Sequence, residues 1–304
     1  MTRDGRYSAC GRSNQIFLYD LAARKYRSNI CEPDKIDNGA HLGMVHALAF
    51  SPDGTRLASG GYREVKIWHR DPGTGLQRKP DPSLKSSVST VTRDGKRIIA
   101  IDDQGSLLVI STAEGTVVRK IDEVTSSPAR SVSVSPGSPV AAVLNDDGAL
   151  SLWDIEKGTS ISDDLTGSGE ESNRVPCEVF TWCSGGKSIA GAGNDKVIRV
   201  WDATKPDSPP AELTGSAGNI TQLAAGPKQL LASWGTDNKL RLWNLSQSKV
   251  TREIDAPGST AIAISPGETS VCAGGTDGKV KVWDAASGKL LNTLSGRASV
   301  ERVI

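Results

Sequence analysis

The sequence predicts an all-β fold of seven four-stranded antiparallel units closed into a circle. Three observations predict it. The composition is turn-rich, with 32 Gly and 15 Pro in 304 residues and only 37% hydrophobic residues, which favours many short strands over long helices. Several segments alternate apolar and polar side chains, the mark of a half-buried strand. Those segments also recur at spacings of 40 to 49 residues, the mark of a repeat architecture.

The elements follow from the alignment of the chain with itself. EVKIWHR (64–70), GALSLWDIEKG (148–158), KVIRVWDATKP (196–206), KLRLWNLSQS (239–248) and KVKVWDAASG (279–288) each alternate, reach Trp, then turn. QIFLYD (15–20) and SLLVISTAEG (106–115) share the pattern without Trp. The marker positions are Tyr19, Trp68, Ile110, Trp153, Trp201, Trp243 and Trp283. The strands that carry them are predicted to end near 20, 69, 111, 154, 202, 244 and 284, within one domain over 1–304. Upstream of the markers, ALAFSPDGTRLASGG (47–61) and AIAISPGETSVCAGGTDG (261–278) read as strand, turn, strand. TVVRKIDE (116–123) and KLLNTLSG (289–296) supply a strand after the marker. Segments 31–44, 70–87 and 158–176 exceed the repeat and read as loops.

FSPDG (50–54), LASGG (57–61) and VWD (282–284), repeated in register, resemble the WD40-repeat β-propeller family over essentially the whole chain. The resemblance implies a seven-bladed propeller. It also implies a buried network of His, Ser or Thr, Asp and Trp in each blade. By that resemblance the structural residues are His41, Asp147, Asp195, Asp237 and Asp277, with Trp68, Trp153, Trp201, Trp243 and Trp283. The Asp is missing from the blade of Trp68, where Arg63 and Glu64 stand, and the His matches only at His41. A complete network is therefore expected in no blade.

The chemistry the sequence offers is sparse. Lys and Arg number 36 against 35 Asp and Glu, so no basic excess points to nucleic acid. No apolar run approaches the length of a membrane span. No signal peptide opens the chain in this form, which places it in the cytoplasm if 1–304 is the full chain. Cys10, Cys31, Cys177, Cys183 and Cys272 form no metal or haem motif and read as buried thiols. GGKS (185–188) has the end of a phosphate-binding loop, but Thr181 holds the first glycine position. The stretch aligns with FSPDGTRLASG and reads as a strand-to-strand turn. No catalytic constellation, metal site or cofactor cradle is expected. Asn219 and Asn244 open glycosylation sequons by pattern alone.

The resemblance implies a non-catalytic scaffold, monomeric as an isolated domain, that docks a protein or peptide on loops at one face. Alignment selects Arg12, His46, Tyr62, Asp103, Arg130, Asp146, Glu178, Asn194, Trp234 and Glu301 as partner-binding candidates. Trp234 replaces a glycine before a turn and reads either as an anchor or as packing into a neighbouring blade. A second reading is an accessory or sensor domain of a larger protein. GGYREVKIWHR (60–70) is similar to blades of bacterial proteins that couple WD40 domains to c-type cytochrome modules. Finally, SGRASVERVI (295–304) aligns with the approach to an inner strand and TRDGR (2–6) with the turn that follows one. Val300–Ile304 is therefore expected to pair with Arg6–Cys10 and close the circle.

Overall fold

The computed structural model describes residues 6–30, 39–41, 44–50, 54–61, 64–71, 75–78, 88–125, 127–167 and 177–295. They form antiparallel sheets whose strands run in sequence order from one side to the other. The first sheet is β1 (Tyr7–Arg12), β2 (Gln15–Asp20) and β3 (Lys25–Ile30). The second is β4 (Val45–Phe50), β5 (Arg56–Gly61), β6 (Glu64–Asp71) and β7 (Gly75–Arg78). The third is β8 (Val88–Val91), β9 (Arg97–Ile101), β10 (Leu107–Ser111) and β11 (Val117–Ile121). The fourth is β12 (Ala129–Val134), β13 (Val140–Asn145), β14 (Leu150–Asp154) and β15 (Thr159–Ser162). The fifth is β16 (Val179–Cys183), β17 (Ser188–Ala192), β18 (Ile198–Asp202) and β19 (Ala211–Leu213). The sixth is β20 (Ile220–Ala225), β21 (Leu230–Gly235), β22 (Lys239–Asn244) and β23 (Lys249–Asp255). The seventh is β24 (Ser259–Ile264), β25 (Ser270–Gly275), β26 (Lys279–Asp284) and β27 (Leu290–Ser295).

Two expectations need correction. Seven four-stranded blades were expected; among the described residues six sheets have four strands and the first has three. The strand expected to complete it, Val300–Ile304, lies outside the described residues. The segments 70–87 and 158–176, expected as loops, contain the outer strands β7 and β15. Their sequences, GLQR and TSIS, lack an apolar alternation because an outermost strand has little to bury; β15 is exposed or half-buried throughout.

The chain divides into two compact units: Met1–Val134 with Pro139–Asp146 and Trp153–Ser160, and Ser135–Ser138 with Asp147–Leu152 and Ile161–Ile304. In the first unit, Ile98 and Ala100 of β9 join Ala58, Val65 and Ile67 of the second sheet. Their neighbours Ile99 and Ile101 join Ala129, Val132 and Val143 of the fourth. Successive side chains of a strand point to opposite faces, so β9 is buried on both sides. The other end of this unit is closed by Ile16, Leu18 and Ile30 against Phe50, Leu57 and Trp68. In the second unit β21 has the same role. Leu231 meets Ala190, Ile198 and Leu213 of the fifth sheet, and Ala232 meets Ile262, Val271 and Trp283 of the seventh.

Polar bonds fasten the marker strands. Trp68 is fully buried, and its indole Nε1 donates to Ser59 Oγ at 2.7 Å. The same oxygen lies 2.6 Å from Nε2 of His41, also fully buried. Indole can only donate, so Ser59 accepts from Trp68, and the direction of its bond with His41 follows the imidazole tautomer. Gly61 makes room for this: a Cβ there would run into the His41 ring. Lys66 is buried as well and donates from Nζ to the Ala40 carbonyl at 2.7 Å. In the sixth sheet Trp243 Nε1 donates to Ser233 Oγ at 2.8 Å. Val143, Gly191 and Ala273 stand at the corresponding places before Trp153, Trp201 and Trp283.

The four aspartates hold turns. An Oδ1 of Asp147, Asp195, Asp237 and Asp277 accepts the backbone N–H two residues on, at 3.1, 3.3, 3.3 and 3.0 Å. Two of them also anchor an arginine. Arg241, 4% exposed by side chain, reaches Asp237 at 2.7 Å and Glu253 at 3.0 Å, and donates to Ser216 Oγ at 3.4 Å. Arg199 repeats this with Asp195 at 2.5 Å and Glu212 at 3.2 Å. Burial raises the Asp237 carboxyl, and the Arg241 guanidinium and Lys239 amide lower it by more, so it sits below its ordinary value.

Two outcomes are expected. Ser59→Ala removes a partner of both His41 and Trp68, whereas Ser233→Ala removes that of Trp243 alone. Each buried group left without its bond costs about 1–3 kcal/mol. Calorimetry should show the larger fall in melting temperature for Ser59→Ala, and equal falls would contradict a shared hub. The lowered Asp237 contributes stability that is present above the unfolded carboxyl value of about 3.9 and is lost as pH falls through the lower folded value. Acid titration of unfolding should therefore show a shallower loss below about pH 4 in Asp237→Asn than in the wild type.

Candidate functional site

The turn-holding aspartates place their sequence neighbours at the surface. One residue before each lies an exposed side chain: Asp146, Asn194, Thr236 and Thr276. Asp102 has the equivalent role in the third sheet, its Oδ1 accepting the Gln104 and Ser106 amides at 2.9 and 2.8 Å. Asp103 beside it is exposed. At Asp102, Asp195 and Asp237 the holding aspartate is half-buried and its neighbour exposed, whereas Asp147 and Asp277 are exposed along with theirs.

The first unit brings two of the candidates together. Arg130 on β12 and Asp146 before β14 form an ion pair at 3.4 Å, 47% and 56% exposed by side chain. Exposed pairs of this kind contribute little to stability, which leaves both groups available to a partner. Asp103 stands apart in the turn between β9 and β10. Arg12 and His46 lie on β1 and β4, with side chains outside the described residues. Tyr62 and Glu301 lie outside them altogether.

In the second unit Glu178 is half-buried and its amide donates to the Ala192 carbonyl at 2.9 Å. Asn194 is exposed before β18. Trp234 is half-buried: its indole N–H donates to the Ala256 carbonyl at 2.9 Å, and its ring packs on the cluster shared by the sixth and seventh sheets. Of the two sequence readings of Trp234, this placement matches the packed one. The sequence reading missed the Arg199 and Arg241 ladders and the Asp102 turn. An arginine two residues before a Trp, with Glu on the following strand, is the signal that finds the ladders.

The groups with reactive potential are arranged for packing. Burial pushes the Cys183 thiol up to about 12, against a bond to the Ala190 backbone. A thiol so placed stays protonated at neutral pH and is a poor nucleophile. Partial desolvation also raises Cys10 and Cys272, but the expectation of buried thiols holds only for Cys177 and Cys183: Cys10 is exposed, Cys272 is half-buried, and Cys31 lies outside the described residues. GGKS (185–188) lies between two strands: Ser184–Gly186 form one 3-10 turn from β16 into β17. Gly185 and Gly186 adopt φ of 68° and 93° there, which favours glycine. A strand–turn–strand path does not aim helix amides at a phosphate.

Comparison with known proteins agrees with this geometry. The family model described as WD domain, G-beta repeat matches residues 36–69 and 249–284. Apoptotic protease-activating factor 1 of Danio rerio is 25% identical over 227 residues, 72% of this chain and 17% of that protein. Protein SPA1-RELATED 3 of Arabidopsis thaliana is 26% identical over 215 residues, 67% of this chain and 25% of that protein. The WD repeat-containing protein WDS homolog of Arabidopsis thaliana is 24% identical over 249 residues, 79% of this chain and 45% of that protein. The chain thus spans less than half the length of these curated relatives. The solved structure of the computationally designed Ika8 protein shares the fold, with a TM-score of 0.75, 18% identity, and coverage of 98% of this chain and 86% of that one. The repeated four-stranded sheets and the two matched WD repeats make this chain similar to WD40-repeat β-propeller proteins.

Proposed function

We propose that this chain is a non-catalytic interaction module on which a protein or peptide partner docks through the turns of its blades. WD40 propellers generally act as protein-interaction scaffolds. The observation that carries the reading for this chain is the rigid display of side chains. Asp146, Asn194, Thr236 and Thr276 are exposed beside aspartates that hold their turns. A surface ordered before binding loses little entropy on binding. In the first unit the candidates are Asp103, Arg130 and Asp146, with Arg12, His46 and Tyr62 proposed from the sequence. In the second they are Glu178 and Asn194, with Glu301 likewise. The same reading counts the three-stranded sheet as a seventh blade, whose remaining strand the sequence assigns to Val300–Ile304.

A second reading makes the chain an accessory or sensor domain within a longer protein whose activity lies elsewhere. It is supported by the matched lengths, since the relatives carry the matched region as 17% to 45% of their own chains.

Affinity capture followed by mass spectrometry tests the docking reading. Wild type is compared with Asp103→Arg and Asp146→Arg in one unit and Asn194→Arg in the other. Reversed or added charge at a docking turn should remove the captured partner, and Val118→Ser on an outer strand should leave it bound. Retention of every partner by all three turn variants would contradict the assignment of the turns.

A further inference from the structure

Charge is not shared evenly along the chain. Residues 6–30, which span the first sheet, hold Arg6, Arg12, Arg24, Lys25 and Arg27 against Asp20, a net charge of +4 where the whole chain has +1. The one acid is already engaged. Asp20 is 2% exposed, accepts the Ala23 amide at 2.9 Å and pairs with Arg27 at 3.0 Å. Aromatic residues gather here too: Tyr7, Phe17, Tyr19 and Tyr26 are four of the chain's seven tyrosines and phenylalanines. Tyr19 and Tyr26 face each other across β2 and β3 with ring centroids 5.9 Å apart at 67°, and Phe17 lies 6.4 Å from Tyr26. Both tyrosines are open to solvent, at 36% and 53%. The turn between the strands is tied down where the Leu21 amide donates to the Arg6 carbonyl at 2.8 Å.

The strand geometry orders these groups. β3 is last in its sheet, and among the described residues no further strand pairs with its outer edge. Along this edge Tyr26 pairs with Tyr19 and Lys25 with Asp20, while Arg27, at a register shift between β2 and β3, reaches Asp20 and Arg24 lies in the preceding turn. A backbone added to such an edge alternates its own side chains between two faces.

We propose that the outer edge of β3 docks an extended acidic peptide of a partner protein. Its carboxylates would meet Arg24, Lys25 and Arg27, and its apolar side chains would rest on Tyr19 and Tyr26. Charge complementarity selects the acid, and the aromatic pair supplies contact area at low entropic cost. A long nucleic acid fits less well. The edge is about 20 Å long by strand rise, and the sequence outside residues 6–30 carries a net negative charge. This site rests on the reading of the chain as an interaction module, but not on the turns assigned above.

Fluorescence anisotropy tests it with three labelled probes: a peptide alternating Glu and Val, the same peptide with Lys for Glu, and oligothymidylate. The acidic peptide should bind, more weakly as salt rises. Binding should fall about tenfold or more in Arg24→Glu with Lys25→Glu and should also fall in Tyr26→Ser. It should persist in Asp146→Arg and in Asn194→Arg, which separates this edge from the turns. No binding of the acidic peptide would overturn the proposal. So would equal binding of the Lys peptide, equal binding to the charge-reversed chain, or tighter binding of oligothymidylate.

Discussion

Burial of the second strand of the four-stranded sheets, β9 and β21 above all, on both faces is the constraint on which the rest depends. A single antiparallel sheet can cover one face and leave the other wet. Here that option is closed, because Ile98, Ile99, Ala100 and Ile101 are all at most 1% exposed. So many consecutive apolar side chains are satisfied only with a sheet on each side. At about 25 cal/mol per Å² of apolar area, such strands carry much of the stability. The outer strands β11 and β27, exposed along nearly their whole length, carry little.

The polar bonds are arranged around that packing. Ser59 and Ser233 tie a buried indole to the strand beside it, and His41 brings the segment before β4 into the same bond. In the fifth and sixth sheets Asp195 and Asp237 add an arginine, beside the Ser233 bond in the sixth. Arg199 and Arg241 link the turn before the third strand to the outer strand through Glu212 and Glu253. These pairs sit at matched register, Arg199 opposite Glu212 and Arg241 opposite Glu253. A partly buried arginine needs such company, since one left unpaired there would be costly.

The parts of the fold that were legible in the sequence are those with a strict period. Trp68, Trp201, Trp243 and Trp283 mark third strands because a buried indole at a strand end favours one residue type there, and the half-buried Trp153 repeats it. Gly75–Arg78 and Thr159–Ser162 were not legible because outer strands face water and tolerate almost any side chain. The aspartates were legible as a repeated residue, but not their partners. Arg241 and Glu253 are joined only by the register of two strands. The candidate site was the least legible part. Trp234 reads as a possible anchor until its bond to the Ala256 carbonyl is seen. The cations of the first sheet disappear in a total charge of +1.

Hydrogen exchange resolved by residue tests the central claim most directly. If the doubly buried second strands hold the sheets together, the amides of Ile98–Ile101 and Leu231–Ser233 should exchange last. Those of Val117–Ile121 and Leu290–Ser295 should exchange early. Equal protection of inner and outer strands, or earlier exchange of Ile98–Ile101, would contradict the account.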